Sequence, residues 1–220
     1  MTSKTALLMI DIQQAMFGPD EICHERVLAS AIALHCVAVS VDTAETVTFS
    51  GMRSKSELYD VVLASSRMPW AGGPPVEIEG RRYVDGGLGS AIPVAEARAA
   101  GATHVLALQT RPHGVPRRSA SRIADVLIVR HLRTLNPALA TLYRERVEWY
   151  ERVVQDIARR SLDWRGGPPY VLGLRPPAGT PVVSQLERRS AVLAAAARDA
   201  ERLVERTLGL IAEPRPAAAG

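Results

Sequence analysis

The sequence predicts an α/β protein, and three observations carry that expectation. Two apolar runs, Thr5 to Ile12 (TALLMIDI) and Thr103 to Gln109 (THVLALQ), have the near-continuous hydrophobicity of strands buried on both faces. Longer segments with helical spacing of apolar residues occupy much of the second half of the chain. Between Arg82 and Gln109 a strand, a short helix stopped by Gly101 and another strand follow one another, the order of a βαβ unit in a parallel sheet.

Composition agrees with a folded chain. Of 220 residues, 47% are hydrophobic and 23% charged, which excludes a disordered or collagen-like polypeptide. A chain of this length buries roughly 70% of its unfolded surface, so it holds a core without disulfide or metal staples. Cys23 and Cys36 are too few for a disulfide framework and are expected as free thiols in a reducing cytosol. No apolar run reaches the ~18 residues of a transmembrane helix, and Ala6 to Ile10 is too short for a signal-peptide core. The expected location is cytoplasmic, at most peripheral to a membrane. Lys4 and Lys55 are the only lysines, so 25 of the 27 basic residues are arginine; interleaved acids leave a formal charge of +4. No aromatic patch is interleaved with the arginines, so nucleic acid is not an expected partner.

The elements follow in order. Thr5 to Ile12 is a strand interrupted by Asp11, and part of Gln13 to Ser30 reads as helix. Leu34 to Val41 and Glu45 to Phe49 are β-branched-rich and flank Asp42-Thr43-Ala44, as two strands about a turn. Ser56 to Ser65 has helical spacing at Leu58, Val61, Val62 and Ala64, with Ser56 as N-cap. Met68 to Pro75 holds three prolines and Gly72-Gly73, which excludes regular structure. Val76 to Ile78 and Arg82 to Val84 alternate around Glu79-Gly80 as a hairpin.

The glycine-dense stretch Asp85 to Ser90 leads to Pro93 in the first turn of a helix that runs to Ala100. After the strand at Thr103 to Gln109, Arg111 to Arg122 reads as a basic loop. From Leu139 to Ile157, residues Leu142, Tyr143, Val147, Tyr150, Val153, Val154 and Ile157 share one helix face. Tyr170 to Leu174 is a late strand, Ser190 to Leu210 an Ala-rich helix, and the Pro/Ala tail frays. The expected division is residues 1–30 as a divergent N-terminal segment, 31–212 as the main domain and 213–220 as a flexible tail.

Asp85 is the sharpest candidate for chemistry. It stands at a strand end, where open α/β sheets bind ligands. Gly86 and Gly87 follow it and allow a backbone or a substrate to approach closely. The alternative is a plain Asp-Gly-Gly turn whose carboxylate bonds local amides.

The surrounding residues add a family resemblance. Leu63-Ala64-Ser65-Ser66-Arg67-Met68-Pro69, the Val76 to Gly80 hairpin arm, Tyr83-Val84-Asp85-Gly86-Gly87-Leu88, Ile92-Pro93-Val94 and Gly101-Ala102-Thr103-His104-Val105 occur in the order found in bacterial patatin-like phospholipases. Thr110-Arg111-Pro112 and Leu174-Arg175-Pro176-Pro177 fit the same pattern, and the resemblance covers about residues 31–210. It implies a three-layer α/β/α fold with a mostly parallel sheet. It also implies a Ser-Asp dyad that hydrolyses lipid or other carboxylic esters, needing no cofactor and no metal. Asp85 matches the family's catalytic Asp, the base that deprotonates the serine, and Gly86 and Gly87 line the substrate side.

One part of the family pattern has no counterpart. No Gly-x-Ser-x-Gly occurs in the 220 residues, and Gly18 is the only glycine before Gly51, so the oxyanion loop is missing as well. Thr48-Phe49-Ser50-Gly51-Met52 and Leu88-Gly89-Ser90-Ala91-Ile92 come nearest, and neither has the two glycines in place. The resemblance therefore implies an N-terminally truncated domain that retains the Asp half, is inactive or impaired alone, and self-associates through an exposed sheet edge. Two other functions stay open: a non-catalytic lipid- or protein-binding relic, and a cysteine hydrolase. The latter rests on Ala6 to Gln14, which resembles the opening strand of isochorismatase-like hydrolases; that resemblance casts Asp11 as acid/base, with Lys55 and Cys36 as triad partners.

Remaining candidates have simpler readings. His24, His35, His104, His113 and His131 show no metal-ligand spacing. Arg111, Arg117, Arg118 and Arg122 are either a solvated loop or a contact for an anionic membrane surface. The apolar face from Leu142 to Ile157 is either packed on the sheet or interfacial. Ser65 and Ser66 lack the glycines of a sharp nucleophile turn.

Overall fold

The computed structural model describes residues 5–8, 33–70, 72–117, 121–162, 165, 167–183 and 187–212. The first strand, β1, is Thr5–Leu8. The rest of the expected strand, with Asp11, and the helix expected within 13–30 lie outside the described residues.

Strands β2 (His35–Ser40) and β3 (Thr46–Ser50) pair antiparallel across the turn at Asp42, in which Ala44 takes φ 59. β4 (Val76–Ile78) and β5 (Arg81–Asp85) form the expected hairpin. Its two turn residues, Glu79 (φ 50) and Gly80 (φ 73), are both left-handed, as a tight hairpin turn requires. β5 also pairs antiparallel with β2, giving one four-stranded sheet in the order β3-β2-β5-β4.

Helices cover both faces of that sheet, so the fold is layered α/β/α. On β2, Ala38 faces one way and Val39 the other; on β5, Tyr83 and Val84 do the same. Ala38 and Tyr83 pack with Ala64 of helix α1 (Lys55–Ser66), and the Phe49 ring meets Tyr83 edge-on at 5.0 Å. Val39 and Val84 pack with Ile128, Leu132, Leu139 and Tyr143 from the other side. Burial on both faces explains why β2 reads as a continuous apolar run rather than an alternating one.

The second sheet has the order β1-β6-β7, with β6 at His104–Leu108 and β7 at Tyr170–Leu174. β1 and β6 pair parallel, Thr5 opposite His104 through Leu8 opposite Ala107. Pairing in the protein is thus partly parallel and partly antiparallel. The strand–helix–strand order around helix α2 (Val94–Ala99) does not make a βαβ unit, because β5 and β6 belong to different sheets. The reason is edge occupancy: β5 is already paired on one side by β2 and on the other by β4, so no edge is open to β6.

One helix start differs from expectation, and one helix was not expected. Ser54, not Ser56, caps α1: its Oγ accepts from the Glu57 N–H at 3.1 Å, while Glu57 Oε2 accepts from the Arg53 N–H at 2.8 Å. The reciprocal pair satisfies two otherwise orphaned donors, which a cap at Ser56 would not. The expected basic loop ends one residue early, and a helix for which no element was expected follows it. Helix α3 (Arg122–Leu135) begins there, capped by Ser121 Oγ accepting from the Ala124 N–H at 3.3 Å.

Asn136 joins α3 to helix α4 (Pro137–Leu162). Its side-chain N–H groups donate to the Val41 and Asp42 carbonyls at 2.8 and 3.1 Å, and its Oδ1 accepts from the Ala138 N–H at 2.9 Å. At ~1.5 Å per residue α4 is long enough to serve two cores. Leu139, Ala140 and Tyr143 enter the core of the four-stranded sheet. Tyr150, Val154 and Ile157 pack with Val105, Ala107 and Val171 around the second sheet. The face expected from Leu142 to Ile157 is therefore packed rather than interfacial.

By chain contacts the protein divides into two units, Met1–Ala107 with Pro116–Leu172, and Leu108–Val115 with Gly173–Gly220. In the second, Arg175 Nε–H donates to the Arg111 carbonyl at 2.7 Å, and helix α5 spans Ser190–Ala212.

Candidate functional site

Asp85 is the last residue of β5 and lies opposite Ala38 of β2. Its backbone N–H donates to the Arg67 carbonyl at 2.9 Å, which ties the strand end to the exit of α1. The side chain then turns back over its own loop. Oδ1 accepts from the Gly87 N–H at 2.7 Å and caps the 3₁₀ turn Gly86–Leu88. Asp85 is half-buried, between the buried Val84 and the buried Gly86.

The glycines here have distinct reasons. A Cβ on Gly86 would stand 2.2 Å from the Val37 carbonyl oxygen, so the chain leaving β5 runs directly against β2. A Cβ on Gly89 would stand 2.3 Å from Thr46 Oγ1. Gly87 is less crowded; a Cβ there would lie 3.0 Å from Asp85 Oδ1. Its N–H is engaged by that carboxylate in this arrangement rather than directed at a ligand.

The loop before β4 frames the same strand end. The Arg67 guanidinium donates to the Gly72 carbonyl, and its buried Nε has no hydrogen-bond partner among the described residues. After the turn, Ser90 Oγ donates to Glu96 Oε2 at 2.9 Å and anchors the loop to α2.

Other expected site residues fall elsewhere. Ser65 and Ser66 end α1, where Ser66 Oγ donates to the Val62 carbonyl at 3.0 Å; both are helical and neither occupies a sharp strand-to-helix turn. Cys36 is buried in β2, and burial pushes its thiol up to about 11. Such a thiol is neutral near pH 7, the opposite of what a nucleophilic cysteine needs. Lys55 opens α1 on the surface, and Asp11 lies outside the described residues, as do Cys23, His24 and Arg118. Among the described residues, no three His, Cys, Asp or Glu side chains converge as metal ligands; His35, His104, His113 and His131 are all exposed.

The Arg117 guanidinium lies over the Tyr150 ring, 5.2 Å from its centroid, and its backbone N–H donates to Glu151 at 2.9 Å. Arg122 is the first residue of α3. Among the described residues, no helix is long and apolar enough to cross a membrane.

Sequence reasoning missed α3, Ser54 and Asn136. The signal for α3 was present: Ser121 stands three residues before Ala124, and Ile128, Leu132 and Leu135 recur at helical spacing.

No curated protein matches the chain. A family model does: residues 9–98 match the model of patatin-like phospholipases. That span contains both strands that meet at Asp85, the Asp85-Gly86-Gly87 turn and α1. Over these residues the chain is similar to patatin-like phospholipases.

Proposed function

We propose that this chain carries the base half of a patatin-type ester hydrolase, with Asp85 as the base and lipid esters as the substrate class. The observation that carries the reading is the placement of Asp85 at a strand end, its backbone held by Arg67 and the following chain seated against β2 by Gly86. A carboxylate so placed can take the proton of an adjacent serine hydroxyl as its oxygen attacks the ester carbonyl. The proton then passes to the departing alkoxide, and an attacking water reverses the sequence to release the acid.

The serine is not among these 220 residues in its Gly-x-Ser-x-Gly setting. Loss of the nucleophile or of an oxyanion donor lowers rates by orders of magnitude. The isolated chain is therefore a poor esterase, and a polypeptide bearing the nucleophile turn would be needed to complete the site.

Fluorophosphonate labelling and p-nitrophenyl ester turnover test this. The isolated chain is expected to show neither above the level of Asp85→Ala. Mixing it with a polypeptide carrying a patatin-type Gly-x-Ser-x-Gly half is expected to produce labelling that Asp85→Ala abolishes. Labelling of the isolated chain, or complemented labelling indifferent to Asp85, would sink the proposal. One observation favours a second reading, a non-catalytic binding relic: Asp85 Oδ1 is engaged by Gly87, as in a purely structural turn.

A further inference from the structure

Helix α3 buries one face and leaves the opposite face bare. Ile128, Val129 and Leu132 lie in the core with Val39, Val84 and Tyr143. Opposite them, Ile123, Val126 and Leu127 are 76%, 67% and 61% exposed. Their spacing at i, i+3 and i+4 makes one ridge over the first two turns. A single exposed aliphatic residue is ordinary, whereas three contiguous ones on one helix face mark a contact surface.

Arginines frame that ridge. Arg122 precedes it, and Arg130 and Arg133 continue the same side of the helix towards its C-terminus. Between α3 and α4 lies a groove of about 700 Å³, lined by Asp125, Arg130, Arg133, Tyr143, Arg144 and Arg146 among others. Among the described residues Asp125 is the only carboxylate in that lining, and it is already engaged: it accepts from the Tyr143 hydroxyl at 2.6 Å and faces Arg146 at 3.6 Å. Arg146 is 10% exposed and stacks its guanidinium 3.3 Å from the centroid of the Tyr143 ring. Among the described residues, Arg130, Arg133 and Arg144 form no ion pair. The groove is thus a concentration of uncompensated positive charge beside an apolar ridge.

We infer that this face docks on an anionic lipid bilayer. Ile123, Val126 and Leu127 enter the acyl boundary, and Arg130, Arg133 and Arg144 take lipid phosphates. An aliphatic ridge with a basic rim is the composition of a helix that lies in the membrane interface. Guanidinium groups match phosphate oxygens two at a time. Charge argues against a second copy as the occupant, because a two-fold contact through α3 sets Arg122, Arg130 and Arg133 against their own equivalents. Nucleic acid would satisfy the arginines and leave the ridge in water. The inference goes beyond the acyl-hydrolase reading and is read by binding rather than turnover, so either can fail without the other.

The test uses the full chain with phosphatidylglycerol/phosphatidylcholine vesicles and with phosphatidylcholine vesicles alone, the bound fraction being measured by sedimentation. Binding is expected only to the anionic vesicles, and high salt is expected to weaken it. The Ile123→Ser/Val126→Ser/Leu127→Ser protein is expected to bind about tenfold less or weaker still. So is Arg130→Glu/Arg133→Glu, a second variant that leaves the ridge intact. All the changed side chains lie on the exposed face, so circular dichroism melts are expected to match wild type. Equal binding to both vesicle types, binding to neither, or full binding by the charge-reversed protein would overturn the inference. So would a sedimenting dimer that the triple serine variant dissolves, or duplex DNA binding, without vesicle binding.

Discussion

Gly86 and Val37, 49 positions apart in the chain, are in backbone contact: a methyl group on Gly86 would stand 2.2 Å from the Val37 carbonyl oxygen. This contact sets where the chain turns after Asp85. Neither strand can retreat easily, since β2 is held by β3 and β5 together.

Gly86→Ala is therefore expected to destabilise the protein by about 1–3 kcal/mol, the range for overpacking a filled site. Urea denaturation measures it. Gly86 does not require a left-handed φ, so the loss is steric; no loss would mean that the two strands part readily.

Asp85 has two separable properties, a charge and a hydrogen-bond acceptor. Asp85→Asn keeps an acceptor for the Gly87 N–H and is expected to lie within a few tenths of a kcal/mol of wild type. Asp85→Ala leaves that N–H without its partner and is expected to cost about 1 kcal/mol. Both variants are expected to abolish labelling in the complemented assay. If Asp85→Asn labels as well as wild type, Asp85 acts as a cap and not as a base.

Cys36 makes the stability depend on alkaline pH. Burial pushes the folded-state thiol up from its ordinary range, near 9, to about 11. A raised folded value means that the folded protein keeps the proton longer than the unfolded chain. The stabilisation is complete below pH 9 and is lost as pH rises from about 9 through 11, by about 3 kcal/mol from this group. Denaturation midpoints of wild type and Cys36→Ala across this window, taken as a difference, isolate it. Parallel pH profiles would show that the thiol ionises as freely folded as unfolded.

Asn136→Asp replaces a donor with an acceptor at nearly constant shape. The new carboxylate still accepts from Ala138 but faces the Val41 and Asp42 carbonyls, to which Asn136 now donates. The expected loss at neutral pH is about 1–3 kcal/mol, since two carbonyls lose their donor. Thermal melts at neutral pH against Asn136→Ala check the sign, the aspartate being the less stable of the two.

The candidate site was half legible in the chain. Asp85-Gly86-Gly87 shows itself because an acid before two glycines at a strand end is a local pattern. That Gly86 is packed against Val37, and that Gly87 holds the carboxylate, follows from cross-strand geometry and a turn conformation that spacing does not reveal. Cys36 reads as a candidate nucleophile by residue type, and only its burial in β2 shows an inert thiol. The basic loop ends where expected to within one residue, but the helix that follows it was not expected, and Ser121 alone marks its start.

The sequence by itself determined the local elements: the left-handed turn at Glu79-Gly80, the strands on either side of Asp42, the stop at Gly101 and the buried face of α4. Each depends on the torsional preference or side-chain period of neighbouring residues, and those travel with the chain. Tertiary structure alone decided that β5 joins β2 and β4 rather than β6, and that one face of α3 is left bare beside a groove of arginines. Strand partners are settled by which edges are already occupied. An exposed face is settled by what the other described residues leave uncovered.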